Sequence, residues 1–448
     1  MGRYFGTDGV RGVANTELTP ELAYRLGRAG AYVLTRSQKH ARIVVGKDTR
    51  ISGDLLESAL IAGMLSVGAI AIRVGVVSTP GVAYLTRALE ADAGVMISAS
   101  HNPVADNGIK FFGGDGFKLL DSVEEEIEKL LDAEVDTLPR PTGKDVGRIE
   151  ERIDAVKLYT DYLGKTVKNR FNGLKIVLDC ANGAASAIAP QVFCNLGAEV
   201  ISIHAEPNGV NINVKCGSTH PEIVREAVLA NRADLGLSFD GDADRLIAVD
   251  EQGHIVDGDY IMLILAKALK EAGKLTANTL VATVMSNFGF VKAAKELGID
   301  LVRTAVGDRY VMEAMINGGY VIGGEQSGHI ILLDHNTTGD GLLTAVQLAS
   351  IMVEKKQPLS KLREIMRSYP QVLVNVRVAS KEGWEQKPAI RQVIADVEAK
   401  LGNDGRVLVR PSGTEPLIRV MAEGSDEELV RSYVEQIAEV VRREQGAS

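Results

Sequence analysis

Three related α/β domains with mixed, mostly parallel sheets, plus a smaller C-terminal α+β domain, arranged around one central cleft, form the fold class that the sequence predicts. Three observations predict it. The chain has 448 residues, which at roughly 150 residues per domain gives three or four domains. One order of elements (strand, polar loop, helix, glycine stop, strand) recurs three times before residue 330. Each recurrence then continues through a helix into a strand that ends in a polar loop, and ligands of parallel sheets gather outside such strand ends.

In the first repeat, the β-branched run 42–45 reads as a buried strand. A loop with Asp48, Ser52 and Gly53 follows, then a helical pattern over 55–67, a stop at Gly68 and Ala69, and a strand over 70–74. In the second, LKIVLDCANGAAS supplies strand and loop, 187–196 the helix, Gly197 and Ala198 the stop, and EVISIH the strand. In the third, TLVATVMSNFG leads into FVKAAKEL, Gly298 stops it, and IDLVRTAV returns as a strand. Beyond the Tyr369-Pro370 break, QVLVNVRV, a helix over 387–401, RVLVRPSGTEPLIRVMAEG and a helix from Asp426 make the smaller domain. The boundaries this gives are 1–157, 158–256, 257–368 and 369–448.

Composition narrows the function. Lys and Arg number 50 against 59 Asp and Glu, a net charge of −9, so the chain lacks the basic excess with which nucleic acid or an anionic membrane is bound. No apolar run reaches the length of a membrane span, and the first residues carry no apolar leader. Three cysteines, Cys180, Cys194 and Cys216, show no metal-ligand spacing along the chain, which reads as a reducing compartment without zinc. A cytoplasmic enzyme of small molecules is the expectation.

Four polar loops carry the chemistry. FDGDADR follows the strand pattern LGLSF and places Asp240, Asp242 and Asp244 in one tight loop, where alternate carboxylates converge on a hard cation. An EF-hand would want Gly where Arg245 stands, and helices on either side. A nucleophilic aspartate of the aspartyl-phosphatase kind stays open, since D-x-D after a strand suits that chemistry too. SASHNP presents Ser98, Ser100, His101 and Asn102 at the mouth of a strand; a serine alone is a weak nucleophile and needs a base or a prior modification. Taken singly, this loop also reads as turn chemistry closed by Pro103. Lys110 offers a cation or, with a depressed pKa, a base. In GGEQSGH the glycines let backbone approach a ligand, Glu325 and Ser327 suit sugar hydroxyls or an ammonium, and His329 orients the loop. RPSGTEPLIR rings a phosphate with Arg410, Ser412, the amides around Gly413, Thr414 and Arg419, or else is a hairpin held by its own hydroxyls. FGTDGVRG puts Arg11 in a Gly-rich turn.

Together these loops resemble the α-D-phosphohexomutase superfamily over essentially the whole chain. The resemblance implies phosphoserine at Ser100, and Mg2+ on Asp240, Asp242 and Asp244 with the Ser100 phosphate as fourth ligand. It implies Arg245 beside the reacting phosphoryl group, Glu325 and Ser327 on the sugar, and Arg410, Ser412, Gly413, Thr414 and Arg419 on the phosphate that is not reacting. Lys110, Arg11 and His101 complete the catalytic set, with Lys110 and His101 as candidate bases. GTDGVRG and the Gln of GEQSGH resemble the glucosamine branch. The implied reaction is therefore interconversion of glucosamine 6-phosphate and glucosamine 1-phosphate through a 1,6-bisphosphate, supplying UDP-N-acetylglucosamine for cell-wall synthesis. Glucosamine 1,6-bisphosphate or glucose 1,6-bisphosphate would be the activator. The glucose/mannose mutase branch and a sugar-phosphate hydrolase are the alternatives. Where some hexose mutases place His after Gly, this chain has Gly307-Asp308-Arg309, so no base role transfers there. The family often forms homodimers, and its fourth domain is expected to close about a hinge near 368–370.

Overall fold

The computed structural model describes residues 3–6, 8–35, 40–412 and 416–446. It divides into two compact units, one running to Val284 and resuming over Ile299–Glu364, the other made of Met285–Gly298 and the chain from Ile365.

The first unit holds three sheets. A six-stranded sheet runs, in spatial order, Val10–Val13, Asp106–Gly113, Ala93–Ile97, Arg42–Lys47, Ile70–Val76 and Ile149–Glu151. A five-stranded sheet runs Ile255–Val256, Leu246–Asp250, Leu235–Phe239, Lys175–Asp179 and Glu199–Ile203. A four-stranded sheet runs Asp300–Thr304, Thr279–Thr283, Ile322–Gly324 and Ile330–Leu332. The strands Ala93–Ile97, Leu235–Phe239 and Thr279–Thr283 are buried at every residue. They read as unbroken apolar or small-residue runs because parallel strands are covered on both faces.

Each sheet is built alike around its polar loop. Ala93–Ile97 pairs parallel with Arg42–Lys47 and antiparallel with Asp106–Gly113. Leu235–Phe239 pairs parallel with Lys175–Asp179 and antiparallel with Leu246–Asp250. Ile322–Gly324 pairs parallel with Thr279–Thr283 and antiparallel with Ile330–Leu332. In all three, the loop turns a strand of the parallel half back as an antiparallel neighbour. The sequence places the loops at strand ends but gives no sign of this reversal.

The helices fall within a few residues of the periodic patterns. The pattern at 55–67 begins earlier, at Ser52, and those at 187–196 and 387–401 are the helices Ala185–Asn195 and Pro388–Leu401. Helix Pro20–Thr35 crosses helix Ser52–Ser66 at glycine contact: a Cβ on Gly27 would lie 2.1 Å from the Leu60 carbonyl oxygen, and one on Gly63 2.1 Å from that of Tyr24. Only glycine permits that approach.

In the second unit, Gln371–Arg377, Leu417–Gly424 and Gly405–Pro411 form an antiparallel sheet. Val376, Ile390, Val397, Val420, Val434 and Ile437 build its core with the helices Pro388–Leu401 and Glu427–Gln445. Asp426 caps the latter by accepting the Leu429 amide. Helix Phe288–Glu296, part of the third sequence repeat, groups with this unit: Asn287 donates to the Tyr369 carbonyl at 2.9 Å and to Glu423 at 3.1 Å.

Candidate active site

Ser100 is held in place by a buried ion pair. It sits in the left-handed region at φ 54, which for a residue with a Cβ costs about 1–3 kcal/mol and persists only where neighbours enforce it. Its amide donates to Ser98 Oγ at 2.9 Å, and Ser98 Oγ donates to Asp48 at 2.6 Å. Asp48 is paired with Arg50 Nε at 3.0 Å, both side chains fully buried. The Arg50 guanidinium donates to the carbonyls of Ser100 and Asn102, each at 2.8 Å, and to those of Pro103 and Asp106. From the loop beyond the strand Glu199–Ile203, Asn213 Nδ2 donates to the same Ser100 carbonyl at 2.8 Å.

The serine hydroxyl points into the aspartate loop. Ser100 Oγ donates to Asp240 Oδ2 at 2.5 Å and lies 3.2 Å from His101 Nδ1. The loops meet this closely because of Gly241, where a Cβ would lie 2.5 Å from the Ser100 carbonyl oxygen. Asp242 accepts Thr79 Oγ1 at 2.5 Å and Lys110 Nζ at 2.8 Å. Asp244 faces His329 Nδ1 at 3.4 Å and Arg245 at 3.9 Å.

The three carboxylates are buried, with ligand oxygens within 4.8 Å of one another. Asp242 Oδ1 and Asp244 Oδ1 have no hydrogen-bond partner among the described residues. Buried, unpaired carboxylate oxygens are costly; an all-oxygen set of this kind fits a hard divalent cation. Burial, and then the charges of Asp244 and Asp242, push the Asp240 carboxyl far above its usual range. Burial also works against ionised Asp244, but His329, Lys110 and Arg245 pull it well below that range. Burial and the positive charges of Arg245 and Arg11 lower the His101 pKa, leaving the ring neutral at pH 7 and able to accept a proton.

The GEQSGH loop closes on itself, with the Glu325 amide donating to the His329 carbonyl at 3.0 Å. Glu325 Oε1 accepts the Gly307 amide at 3.1 Å. His329 is buried, accepts the Gly339 amide on Nε2 at 3.2 Å and turns Nδ1 to Asp244. Asp308 pairs with Lys118, which also lies 3.0 Å from Asp8; Asp8 in turn pairs with Arg11 at 3.3 Å. After Gly307 the chain therefore has a carboxylate engaged with a lysine.

In the second unit, Arg410 and Arg419 are direct cross-strand partners of Gly405–Pro411 and Leu417–Gly424. Like charges so placed repel, and burial with the charge of Arg419 lowers the Arg410 pKa. The pair fits an anion. The buried Ser412 donates its amide to the Leu417 carbonyl at 2.8 Å. Gly413 and Thr414 lie outside the described residues.

With this geometry in view, four family models match the chain in order. They are the phosphoglucomutase/phosphomannomutase alpha/beta/alpha domain I over residues 2–137, domain II over 157–253, domain III over 257–369, and the C-terminal domain over 373–440. The chain belongs to the phosphoglucomutase/phosphomannomutase family. Within that family it is 61% identical to a phosphoglucosamine mutase of Brevibacillus brevis over 99% of this chain and 100% of that one. It is 60% identical to a phosphoglucosamine mutase of Geobacillus thermodenitrificans over the full length of both. Among solved structures, it shares the fold of a phosphoglucomutase/phosphomannomutase family protein of Burkholderia thailandensis, at TM-score 0.81 and 23% identity over 99% and 98% of the two chains. It also shares the fold of an Aspergillus fumigatus N-acetylphosphoglucosamine mutase solved with GlcNAc-6P and magnesium, at TM-score 0.68 and 18% identity over 98% and 95%.

In this chain, folding brings Ser100, His101, Lys110, Asp240, Asp242, Asp244 and Arg245 together. Sequence reasoning missed Asp48, Arg50, Thr79, Asn213 and the Asp8–Lys118–Asp308 set. Of these, only the D-x-R of Asp48 and Arg50, directly after a buried strand, offered a signal.

Proposed function

We propose that this chain interconverts glucosamine 6-phosphate and glucosamine 1-phosphate, with Ser100 as the phosphoryl carrier. The observation that carries the reading is the Ser100 hydroxyl directed into a buried acid cluster, 2.5 Å from Asp240, with Lys110 bound to Asp242 beside it.

In the resting enzyme Ser100 is phosphorylated, loaded from glucosamine or glucose 1,6-bisphosphate. The Ser100 Oγ–P bond breaks as a bond forms from phosphorus to the sugar O1, and the O1 proton goes to a base. His101, 3.2 Å from Ser100 Oγ, and Lys110 are the candidates for that base; Lys110, ion-paired to Asp242 in a buried site, also offers positive charge. The bisphosphate then turns end for end. The O6–P bond then breaks as a bond forms from that phosphorus to Ser100 Oγ, and O6 takes the proton held by the base, leaving the 1-phosphate.

Mg2+ held by Asp240, Asp242, Asp244 and the Ser100 phosphate would supply positive charge to the bridging oxygens. Arg245 and Arg11 add to it, Glu325 and Ser327 read the sugar, and Arg410, Ser412, Gly413, Thr414 and Arg419 hold the distal phosphate. The place of work is the cytoplasm, and among the described residues no helix is long and apolar enough to cross a membrane.

The relatives' activity supports the glucosamine branch. The test is ³¹P NMR of the protein with Mg2+, a trace of hexose 1,6-bisphosphate and, separately, glucosamine, glucose and mannose 6-phosphates. The 1-phosphate should grow fastest from glucosamine 6-phosphate. Faster conversion of glucose or mannose 6-phosphate would move the chain to the other branch, and inorganic phosphate alone would make it a hydrolase.

A further inference from the structure

Spacing along the chain hides a second cluster of ligand-type side chains. Asp179 ends the strand Lys175–Asp179, His204 follows the neighbouring parallel strand Glu199–Ile203, and Cys216 lies in the loop beyond. Their donor atoms all lie within 4.8 Å of one another. Asp179 and Cys216 are buried, while the His204 side chain is 33% exposed and so opens the cluster to solvent.

The surroundings of the carboxylate are already those of a metal ligand. Asp179 Oδ2 accepts the Gly217 amide at 2.9 Å; Oδ1 accepts the Ala181 amide at 3.0 Å and lies 3.2 Å from His204 Nδ1. Two backbone donors thus fix the orientation of the carboxylate, as outer-shell partners do at metal sites. A cation entering between Oδ1, Nδ1 and Sγ replaces only the His204 contact. Sulfur with imidazole and carboxylate selects a borderline or soft ion, whereas Mg2+ prefers oxygens alone.

We propose that Asp179, His204 and Cys216 form a second metal site that takes a divalent ion of the Zn2+ class, with water as fourth ligand, separate from the carboxylate cluster of Asp240, Asp242 and Asp244. On binding, the metal–sulfur bond forms as the Cys216 thiol proton leaves to solvent, and His204 gives the Nδ1 lone pair. The site ties together the loops that support Ser100: Asn213 donates its amide to the Ala181 carbonyl at 2.9 Å and its side chain to the Ser100 carbonyl at 2.8 Å. Its role is to stiffen that support. Spacing along the chain carries no sign of this cluster, because three separate segments supply its donors.

The test is titration of the full chain with Co2+ in saturating Mg2+, followed through the near-ultraviolet thiolate-to-cobalt charge-transfer band. One equivalent should raise the band, and Zn2+ should then abolish it. Cys194→Ser and Asp242→Asn should keep it. Cys216→Ser should lose it, and His204→Gln, which removes a ligand at a partly exposed position, should weaken Co2+ binding by more than the roughly tenfold that loss of an outer-shell partner costs. No band in the wild type, or a band undiminished in His204→Gln, would overturn the proposal. Should Cys216→Ser not fold, the His204 variant decides alone.

Discussion

The Ser100 hydroxyl donates to the Asp240 carboxylate at 2.5 Å, joining the serine loop of one sheet to the acid loop of the next. That contact is made at a backbone conformation unfavourable for serine, so whatever holds the Ser100 loop also sets the chemistry.

Arg50 is the main restraint on that loop. Lysine at this position keeps the charge but loses the fork that reaches several carbonyls at once. Arg50→Lys should lower stability by about 1–3 kcal/mol through unsatisfied carbonyls and lower kcat by more than it changes KM. Wild-type kcat in this variant would remove Arg50 from the account.

Divalent-ion removal tests the acid cluster. EDTA should abolish turnover, and Mg2+ restored at roughly a hundredfold over Kd should stabilise the fold by about 2.7 kcal/mol, seen as a rise in Tm. Asp242→Asn should blunt that rise. A Tm indifferent to Mg2+ would contradict the assignment.

Gln326 is legible in the sequence as a marker of the glucosamine branch, yet its structural part is an anchor. Its side chain donates to Asp257 at 3.0 Å, and Asp257 caps helix Gly258–Glu271. Gln326→Met should leave a half-buried carboxylate oxygen short of a donor, at a cost of about 1 kcal/mol. Because the loop also carries Glu325, KM for glucosamine 6-phosphate should rise more than kcat falls. Unchanged Tm and KM would show that the anchor is idle.

Burial raises the Asp340 carboxyl from 3.8 to about 6, against hydrogen bonds from Leu343, Asn336 and Tyr159. Between those values the unfolded chain releases its proton while the folded chain keeps it, so stability falls as pH rises and levels off above about 6. The fall attributable to this group is on the order of 3 kcal/mol. In urea unfolding across the window, wild type should lose stability relative to Asp340→Asn as pH rises. Parallel curves would contradict the shift.

The three strand-end loops are legible because a buried apolar run followed by Asp, Ser or Glu has few other uses; LGLSF before Asp240 is the clearest case. What the sequence hides is pairing at long range. Lys118 meets Asp8 and Asp308 from segments far apart, and nothing in GGDGFKLL marks its lysine. The parallel-to-antiparallel reversal behind each loop is likewise invisible, since a covered strand reads the same with either neighbour. Cys216 looks solitary because its companions arrive from two other segments.

The measurement that tests the central claim most directly is intact-protein mass spectrometry of wild type and Ser100→Ala after incubation with glucose 1,6-bisphosphate and Mg2+, with glucosamine 6-phosphate turnover followed in the same samples. Wild type should gain the mass of one phosphoryl group and turn over; Ser100→Ala, with an unchanged circular-dichroism spectrum, should gain none and show background conversion only. A phosphorylated Ser100→Ala protein, or steady turnover by it, would contradict the account.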